Sequence, residues 1–368
     1  MATNSQSRFT KTQHKIMRYL WKKGKSSRSE IGNEIGFDAS TISRTLTPLM
    51  RKEMIRIVGE SPASSKGGRK THILSFNNSW KHILGISIEQ GEVTIVLSNL
   101  AGEVLKEDYS VINVHSGNIF DIVEKNFSKY DEDAIAGISI ATPGMVSSQY
   151  GKIIFSSALG IEDLEFEKHL EEKLGVKVLV MNNANAASAC YSMKSTHLVY
   201  FIFSIPYKLK RPVGVGAGIM IEGKTYEGFN SYAGEFWRSF SLTDDETLTV
   251  KDLNKDISKK LKLKRFVEYF SEVLEIAIDI IDPEIYVIGG DIDLLPEWVG
   301  ENLISAAYNR IPFQSTRKLK GIVDRNGTLS IAKGAALAFV GKFMGDFNFA
   351  KKVFQFLSNK ELIKYEEI

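Results

Sequence analysis

Apolar residues recur at helical spacing near the start of the chain and at strand spacing through much of the rest. From Thr10 to Lys23, Ile16, Met17, Leu20 and Trp21 form one stripe, while Lys15, Arg18, Lys22 and Lys23 fall largely outside it. This predicts an amphipathic helix that Gly24 ends. Ser27 followed three residues later by Glu30 is a capping-box spacing. Ile31 and Ile35 give that second helix a buried side. Gly36 and Phe37 make a turn, Asp38 caps a third helix, and Ile42, Leu46 and Leu49 face inward on it. Pro48 removes one hydrogen bond and crowds the carbonyl of Arg44. A bend is expected there, or tolerance beyond the first turns. Ile55–Gly59 and Lys70–Leu74 then alternate like two short strands. The loop between them holds Pro62, Ser64, Ser65, Lys66, Gly67, Gly68 and Arg69.

After a junction at Asn78–Trp80 the pattern changes. His82 through Ser98 predicts two strands, and Ala101–Gly102 turns the chain into a third over Glu103–Val111. Gly117–Ser128 predicts a helix, and Ala134–Ile140 a strand ending in the loop Ala141-Thr142-Pro143-Gly144. Ile161–Lys173 predicts another helix, and Val176–Met181 a short strand before Asn182, Asn183, Ala184 and Asn185. A second set follows, with a strand at His197–Ile205 and a glycine-rich apolar run at Gly214–Ile221 that Gly223 turns into Thr225–Gly228. A long helix at Leu263–Asp279 precedes a strand at Glu284–Ile288, which runs into Gly289-Gly290-Asp291. Pro296–Asn309 and Ala332–Met344 read as helices. Phe347, Phe349, Val353, Phe354 and Leu357 make an apolar face suited to docking on the body or to an oligomer contact. The alternation is α/β, with ligand sites expected where loops leave strand ends, in a cleft between two lobes.

Charge divides the chain at the same junction. Residues 1–75 hold 15 Lys/Arg against 5 Asp/Glu, a net +10, while the other 293 residues hold 32 against 39, a net −7. A basic segment on a mildly acidic body predicts one module for a polyanion and another for something else. Ser40, Thr41, Arg44 and Thr45 lie on the exposed first turns of the third helix. They are short donors and one guanidinium, suited to a helix end in the major groove. Lys66, Arg69 and Lys70 make the hairpin a basic wing able to reach phosphate or the minor groove. Three helices and a basic wing predict duplex DNA as the partner; a trihelical protein-interaction module is the plainer alternative.

A length of 368 residues, 43% of them hydrophobic, allows two or three domains. The expected division is 1–77, 78–195 and 196–368. The single cysteine, Cys190, excludes an internal disulfide and an all-cysteine zinc site within one subunit. That usage fits a reducing compartment. The start MATNSQSRFTKTQHK is polar and lacks the apolar run of a signal peptide. No segment reaches the roughly 20 apolar residues that span a bilayer. A cytoplasmic location and no membrane partner are therefore expected.

Several segments resemble the ROK family, whose name combines repressors, open reading frames and kinases. They are IGNEIGFDASTISRTLTPL, SIATPGMV, VKVLVMNNANAAS, VGVGAGIMIEGKTYEGFNSYAGEF, EIYVIGGDID and GAALAF, and they cover nearly the whole chain. The resemblance implies an α/β, two-lobed, actin-like ATPase fold of the sugar-kinase and ribonuclease H kind, preceded by a winged helix-turn-helix. Some members of that family are sugar kinases without the head. Others bind sugar and control transcription, often as homodimers or homotetramers.

The resemblance is most informative at its gaps. Family kinases take the sugar's proton with the aspartate of an Asn-Asp-x-Asn segment. Here the segment is Asn182-Asn183-Ala184-Asn185, so Asn183 stands at the base position, and an amide cannot act as that base. The family's first phosphate loop matches Ser87-Ile88-Glu89-Gln90-Gly91, with Ser87 in place of aspartate and Glu89 adding negative charge. Its second loop matches Pro212-Val213-Gly214, which lacks the usual hydroxyl. Ser87, Gly214, Gly216, Gly289 and Gly290 thus mark degenerate nucleotide loops, and no cofactor is expected. The family's zinc-site histidine is replaced by Arg238 and no cysteine follows, so no metal is expected. Arg238 is expected to form an ion pair that holds its loop, or to touch an anionic ligand. Thr142, Asn182, Asn183, Glu235 and Arg238 are the implied sugar-site residues, with the Ser156–Ser157 pair nearby.

The reading that follows is a sugar-responsive transcriptional regulator, a repressor of carbohydrate-metabolism genes, with an operator duplex and a small carbohydrate effector as partners. The alternatives are an ATP-dependent kinase for glucose or N-acetylglucosamine, and a constitutive DNA binder with a vestigial pocket.

Overall fold

A computed structural model describes residues 9–61, 70–206, 211–243, 250, 252 and 257–366. The head contains α1 (Lys11–Lys23), β1 (Lys25–Ser27), α2 (Arg28–Ile35), α3 (Ala39–Arg51), β2 (Ile55–Ser61) and β3 (Thr71–Phe76). Local signals set its boundaries. Thr10 and Gln13 form a reciprocal capping box on α1, and Ser27 and Glu30 form one on α2. Asp38 accepts from the Ser40 and Thr41 amides at the start of α3. Pro48 sits in the last turn of α3, which runs on to Arg51. The three strands order as β1-β3-β2, all antiparallel. β1 has only three residues, too few to carry a readable period.

The first lobe contains β4 (His82–Ile88), β5 (Glu92–Asn99), β6 (Val104–Val111), α4 (Ile119–Phe127), β7 (Ile135–Thr142), β8 (Met145–Ser147), β9 (Lys152–Ser156), β10 (Ile161–Leu164), α5 (Phe166–Leu174), β11 (Lys177–Asn182) and α6 (Asn183–Cys190). Its main sheet orders as β11-β7-β4-β5-β6, with β4, β7 and β11 parallel. The small sheet β10-β9-β8 lies beside it. The helix expected over Ile161–Lys173 is instead strand β10 followed by α5. Asp163 adopts a left-handed φ of 45° and breaks the run. Ile161, Leu164, Phe166 and Leu170 satisfy either period.

The second lobe contains β12 (Leu198–Ser204), β13 (Val213–Ile221), β14 (Lys224–Thr225), β15 (Glu235–Phe240), α7 (Ile257–Ile281), β16 (Ile285–Gly290), α8 (Glu297–Arg310) and β17 (Lys320–Val323). Its sheet orders as β14-β13-β12-β16-β17, and β15 also pairs with β13. Two last helices follow, α9 (Thr328–Gly345) and α10 (Phe347–Glu366). Sequence order places them with the second lobe, but α9 lies on the first lobe's sheet, against β4, β5, β7 and α6. Glycine permits the close approach. A Cβ at Gly85 of β4 would sit 2.0 Å from the Ala332 carbonyl oxygen, and one at Gly334 of α9 would sit 1.8 Å from that of Ala186.

The head is seated on these returning helices. Trp21 Nε1 donates to the Leu100 carbonyl at 2.8 Å, and His14 Nε2 lies 2.9 Å from the Phe343 carbonyl oxygen. Phe9 packs on Phe354, with centroids 3.9 Å apart. Ile16, Leu20 and Leu46 of the head share one continuous apolar cluster with Phe339, Phe343 and Val353.

Candidate DNA-reading head and interlobe cleft

At the start of α3 one carboxylate organises the proposed reading end. Asp38 Oδ1 accepts from the Ser40 amide (2.9 Å), the Ser40 hydroxyl (2.6 Å) and the Thr41 amide (2.9 Å), and Oδ2 accepts from the Thr41 hydroxyl (2.7 Å). These bonds, from Ser40 first and then Thr41, hold Asp38 well below the usual carboxylate range. The sequence offered Ser40 and Thr41 as donors to DNA. In this arrangement their protons go to Asp38, and their oxygens remain to accept. Thr45 likewise donates to the Thr41 carbonyl at 2.8 Å. Arg44 is exposed and is the charged donor on this end. Lys70 lies 3.5 Å from Glu60 across the hairpin. Lys66 and Arg69 lie outside the described residues.

In the body, parallel pairing brings strand ends to one edge. β4 ends beside Glu89, β7 at Thr142 and β11 at Asn182, with Thr142 directly opposite Asn182. In the second lobe β12 and β16 are also parallel, ending before Ile205 and Asp291. Open α/β sheets bind ligands at such carboxyl ends.

Asn182 caps α6. Its Oδ1 accepts from the Ala184 and Asn185 amides, and its Nδ2 donates to the Gly144 carbonyl at 2.8 Å. Asn183 Nδ2 donates to Glu89 Oε1 at 2.9 Å. Asn183, expected at the base position, is therefore bonded to Glu89, expected in the first phosphate loop. Burial pushes Glu89 up to about 8, against the Asn183 bond and with help from Asp291. Asp291 accepts from the Ile205 amide at 2.8 Å, yet burial pushes it up to about 7.

A cavity of about 460 Å³ lies between β5, β6, the segment Asp291–Leu294 and the start of α9. Five carboxylates line it, from Glu92, Glu107, Asp108, Asp291 and Asp293. This acidity is more extensive than the loop substitutions suggest. The acid directly after Gly289-Gly290 was the signal for it. Gly289 and Gly290 close β16, while Gly214 and Gly216 lie within β13, paired to β12 and β15.

Ser87, Thr142 and Ser156 are buried, and their hydroxyls have no protein partner. Buried polar atoms rarely stay unpaired, so these three hydroxyls stand out beside the strand ends. Glu235 sits on β15 opposite Gly216, where burial raises its carboxyl. The ion pair expected of Arg238 is not formed among the described residues. Phe236 and Phe240 pack inward, Trp237 takes a φ of 52°, and Arg238 is left exposed. Ser148 of the first lobe donates its hydroxyl to Glu227 of the second, tying the lobes together. Among the described residues no three His, Cys, Asp or Glu side chains gather to hold a metal.

The sequence profile of the ROK family matches residues 83–237, and that of a winged helix-turn-helix DNA-binding domain matches residues 9–56. Over residues 83–237 the body is thus similar to the ROK family, and the head to a winged helix-turn-helix domain. A xylose repressor of Staphylococcus xylosus is 28% identical over 255 residues, covering 68% of this chain and 63% of that protein. A xylose repressor of Caldicellulosiruptor bescii is 27% identical over 222 residues, covering 57% and 53%. The transcriptional dual regulator NagC of Escherichia coli is 22% identical over 235 residues, covering 60% and 55%. The matches thus span between about half and two thirds of these relatives' lengths.

Among solved structures, a ROK transcriptional regulator described as a homolog of the Escherichia coli MLC protein superposes with a TM-score of 0.71 at 18% identity, covering 94% of this chain and 98% of that one. A ROK glucokinase of Streptomyces griseus superposes with a TM-score of 0.57 at 15% identity, covering 70% of this chain and 98% of that one. The fold is therefore that of the two-lobed sugar kinases, preceded by a winged helix.

Proposed function

We propose that this protein is a carbohydrate-responsive transcriptional regulator, with duplex DNA as the partner of its head and a small carbohydrate as the effector in its cleft. The observation that carries the reading is the Asn183–Glu89 bond, set beside an exposed, capped helix end in the head. Phosphoryl transfer depends on positioning and on compensating negative charge. On this reading an amide stands at the base position, and five carboxylates line the neighbouring cavity between β5, β6 and the start of α9. Loss of a general base alone costs about 100- to 10,000-fold. The names of the relatives, xylose repressors and an N-acetylglucosamine repressor of Escherichia coli, support a pentose or an amino sugar as effector and repression as the outcome.

Thr142, Asn183 and Glu235 are the polar groups assigned to the sugar, with Asn182 shaping the turn that presents them. Two copies of the chain would present two heads to half-sites about 34–36 Å apart. Sugar binding alters DNA affinity only if the two states differ in affinity for the sugar. A gel-shift titration against the chain's own upstream region, with and without a panel of sugars, tests the reading; no specific shift under any condition removes it. The kinase reading rests on the shared body fold. Sugar-dependent ADP release above about 0.1 per second would restore it, since enzymes commonly turn over at roughly 1–1,000 per second.

A further inference from the structure

The outer face of α1 carries cations that the reading end does not use. Lys15, Arg18 and Lys22 follow one another at spacings of three and four residues, so they share a face, and Lys23 extends it. All four are exposed; among the described residues Lys15, Arg18 and Lys22 form no ion pair, while Lys23 acts on Glu30. They line a groove of about 460 Å³ with Tyr19 and the last turn of α2, where Glu34 is the sole acid. Like charges at this spacing oppose helix formation by a few tenths of a kcal/mol per pair. Within the described molecule Glu34 on the groove wall and Glu30, which Lys23 acts on, offset that repulsion only in part, two acids against four cations. A polyanion would offset the rest.

The position of the groove identifies which polyanion. Its far wall ends at Ile35, and the chain then passes through Gly36 and Phe37 into Asp38 and the exposed start of α3. Ser40 lies five positions beyond Ile35, a reach of at most about 17 Å. A duplex seated on α3 therefore brings its backbone within a few phosphates of the groove. We propose that the α1 groove binds the sugar–phosphate backbone of DNA flanking the segment read by α3. It adds affinity without sequence information. The proposal rests on the DNA-binding reading of the head and goes beyond it, because α1 is neither the reading helix nor the wing.

The test uses the full chain and two probes, a random-sequence duplex and a duplex from the chain's upstream region. A triple variant Lys15→Gln, Arg18→Gln, Lys22→Gln removes three cations. Each phosphate contact contributes about 0.9 to the slope of log K against log salt, so the slope should flatten by about 2.7 on both probes. Between about 50 and 200 mM salt the wild type should then lose roughly 40-fold more affinity than the variant. The ratio of the two affinities should stay within about twofold, because backbone contacts position rather than specify. Glu34→Gln supplies a change of opposite sign, since removing the lone acid should tighten both probes. Misfolding cannot produce that gain.

An unchanged slope in the triple variant would overturn the proposal while leaving the regulator reading intact. Collapse of the affinity ratio would also overturn it, by showing that the groove reads bases. Failure of the wild type to bind either duplex would sink both readings.

Discussion

Asn183 and Glu89 form the most consequential pair of residues in the body. Glu89 is held near 8 by burial and faces Asp291 across the cleft. Its value in the unfolded chain is near 4.5, so the folded protein binds the extra proton. Stability from this group is complete below about 4.5 and is lost as pH rises towards about 8. Glu89→Gln should keep an acceptor for the Asn183 amide and remove that loss. Melting temperature at pH 8 should rise by about 2–4 °C, the shift that roughly 1 kcal/mol gives in a domain of 150–250 residues. At pH 4 the variant and the wild type should melt together. An equal difference at both pH values would show that Glu89 is not the titrating group. In the head, Arg44→Ala should cost about 1–3 kcal/mol of discrimination between operator and random duplex, read by competition binding. Glu235→Ala should abolish the effector response and leave DNA affinity unchanged in the same assay.

Elements differ in how plainly the sequence announces them, and the difference is one of range. Thr10, Ser27 and Asp38 cap helices through bonds to residues two or three positions away, so the head's helices were legible. The substitution at Asn183 was legible too, but its partner lies 94 residues away, so the bond between them was not. β8, β9 and β15 are short strands whose pairing depends on tertiary neighbours, and they escaped the pattern. The return of α9 to the first sheet was equally silent, since glycines at 85 and 334 become informative only once they face a backbone. The seating of α1 belongs to this scale. Trp21→Phe keeps most of the ring and leaves the Leu100 carbonyl unpaired, which should cost about 1–3 kcal/mol. Hydrogen exchange at Ile16–Leu20 should accelerate accordingly. Burial holds His14 below its ordinary value of 6.5, so its contribution is present above that pH and fades as acid protonates the ring.

The whole molecule joins a basic head to an acidic body through apolar packing as well as through the chain itself. The head's core runs without a break into α9 and α10, so the head and first lobe should unfold in one transition. Scanning calorimetry should show no separate early transition for the head; a free-standing one at low temperature would contradict the shared core. α9 also reaches the cleft, where Thr328 lies 2.7 Å from Thr94 hydroxyl to hydroxyl. One helix thus touches the acidic cavity at its start and the seat of the head near its end.

That seat has an implication for how the protein is made. His14 meets Phe343 across 329 positions. At about 5–20 residues per second, a ribosome needs roughly 15–65 s to travel between them. Until then the nascent head has its own small core of Ile16, Leu20, Ile31, Ile42 and Leu46 and the first-lobe contacts at Ile83 and Leu100, without the larger apolar platform of α9 and α10. It can meet a duplex before the platform that restrains it has been translated, so newborn and finished molecules should differ in their grip on DNA.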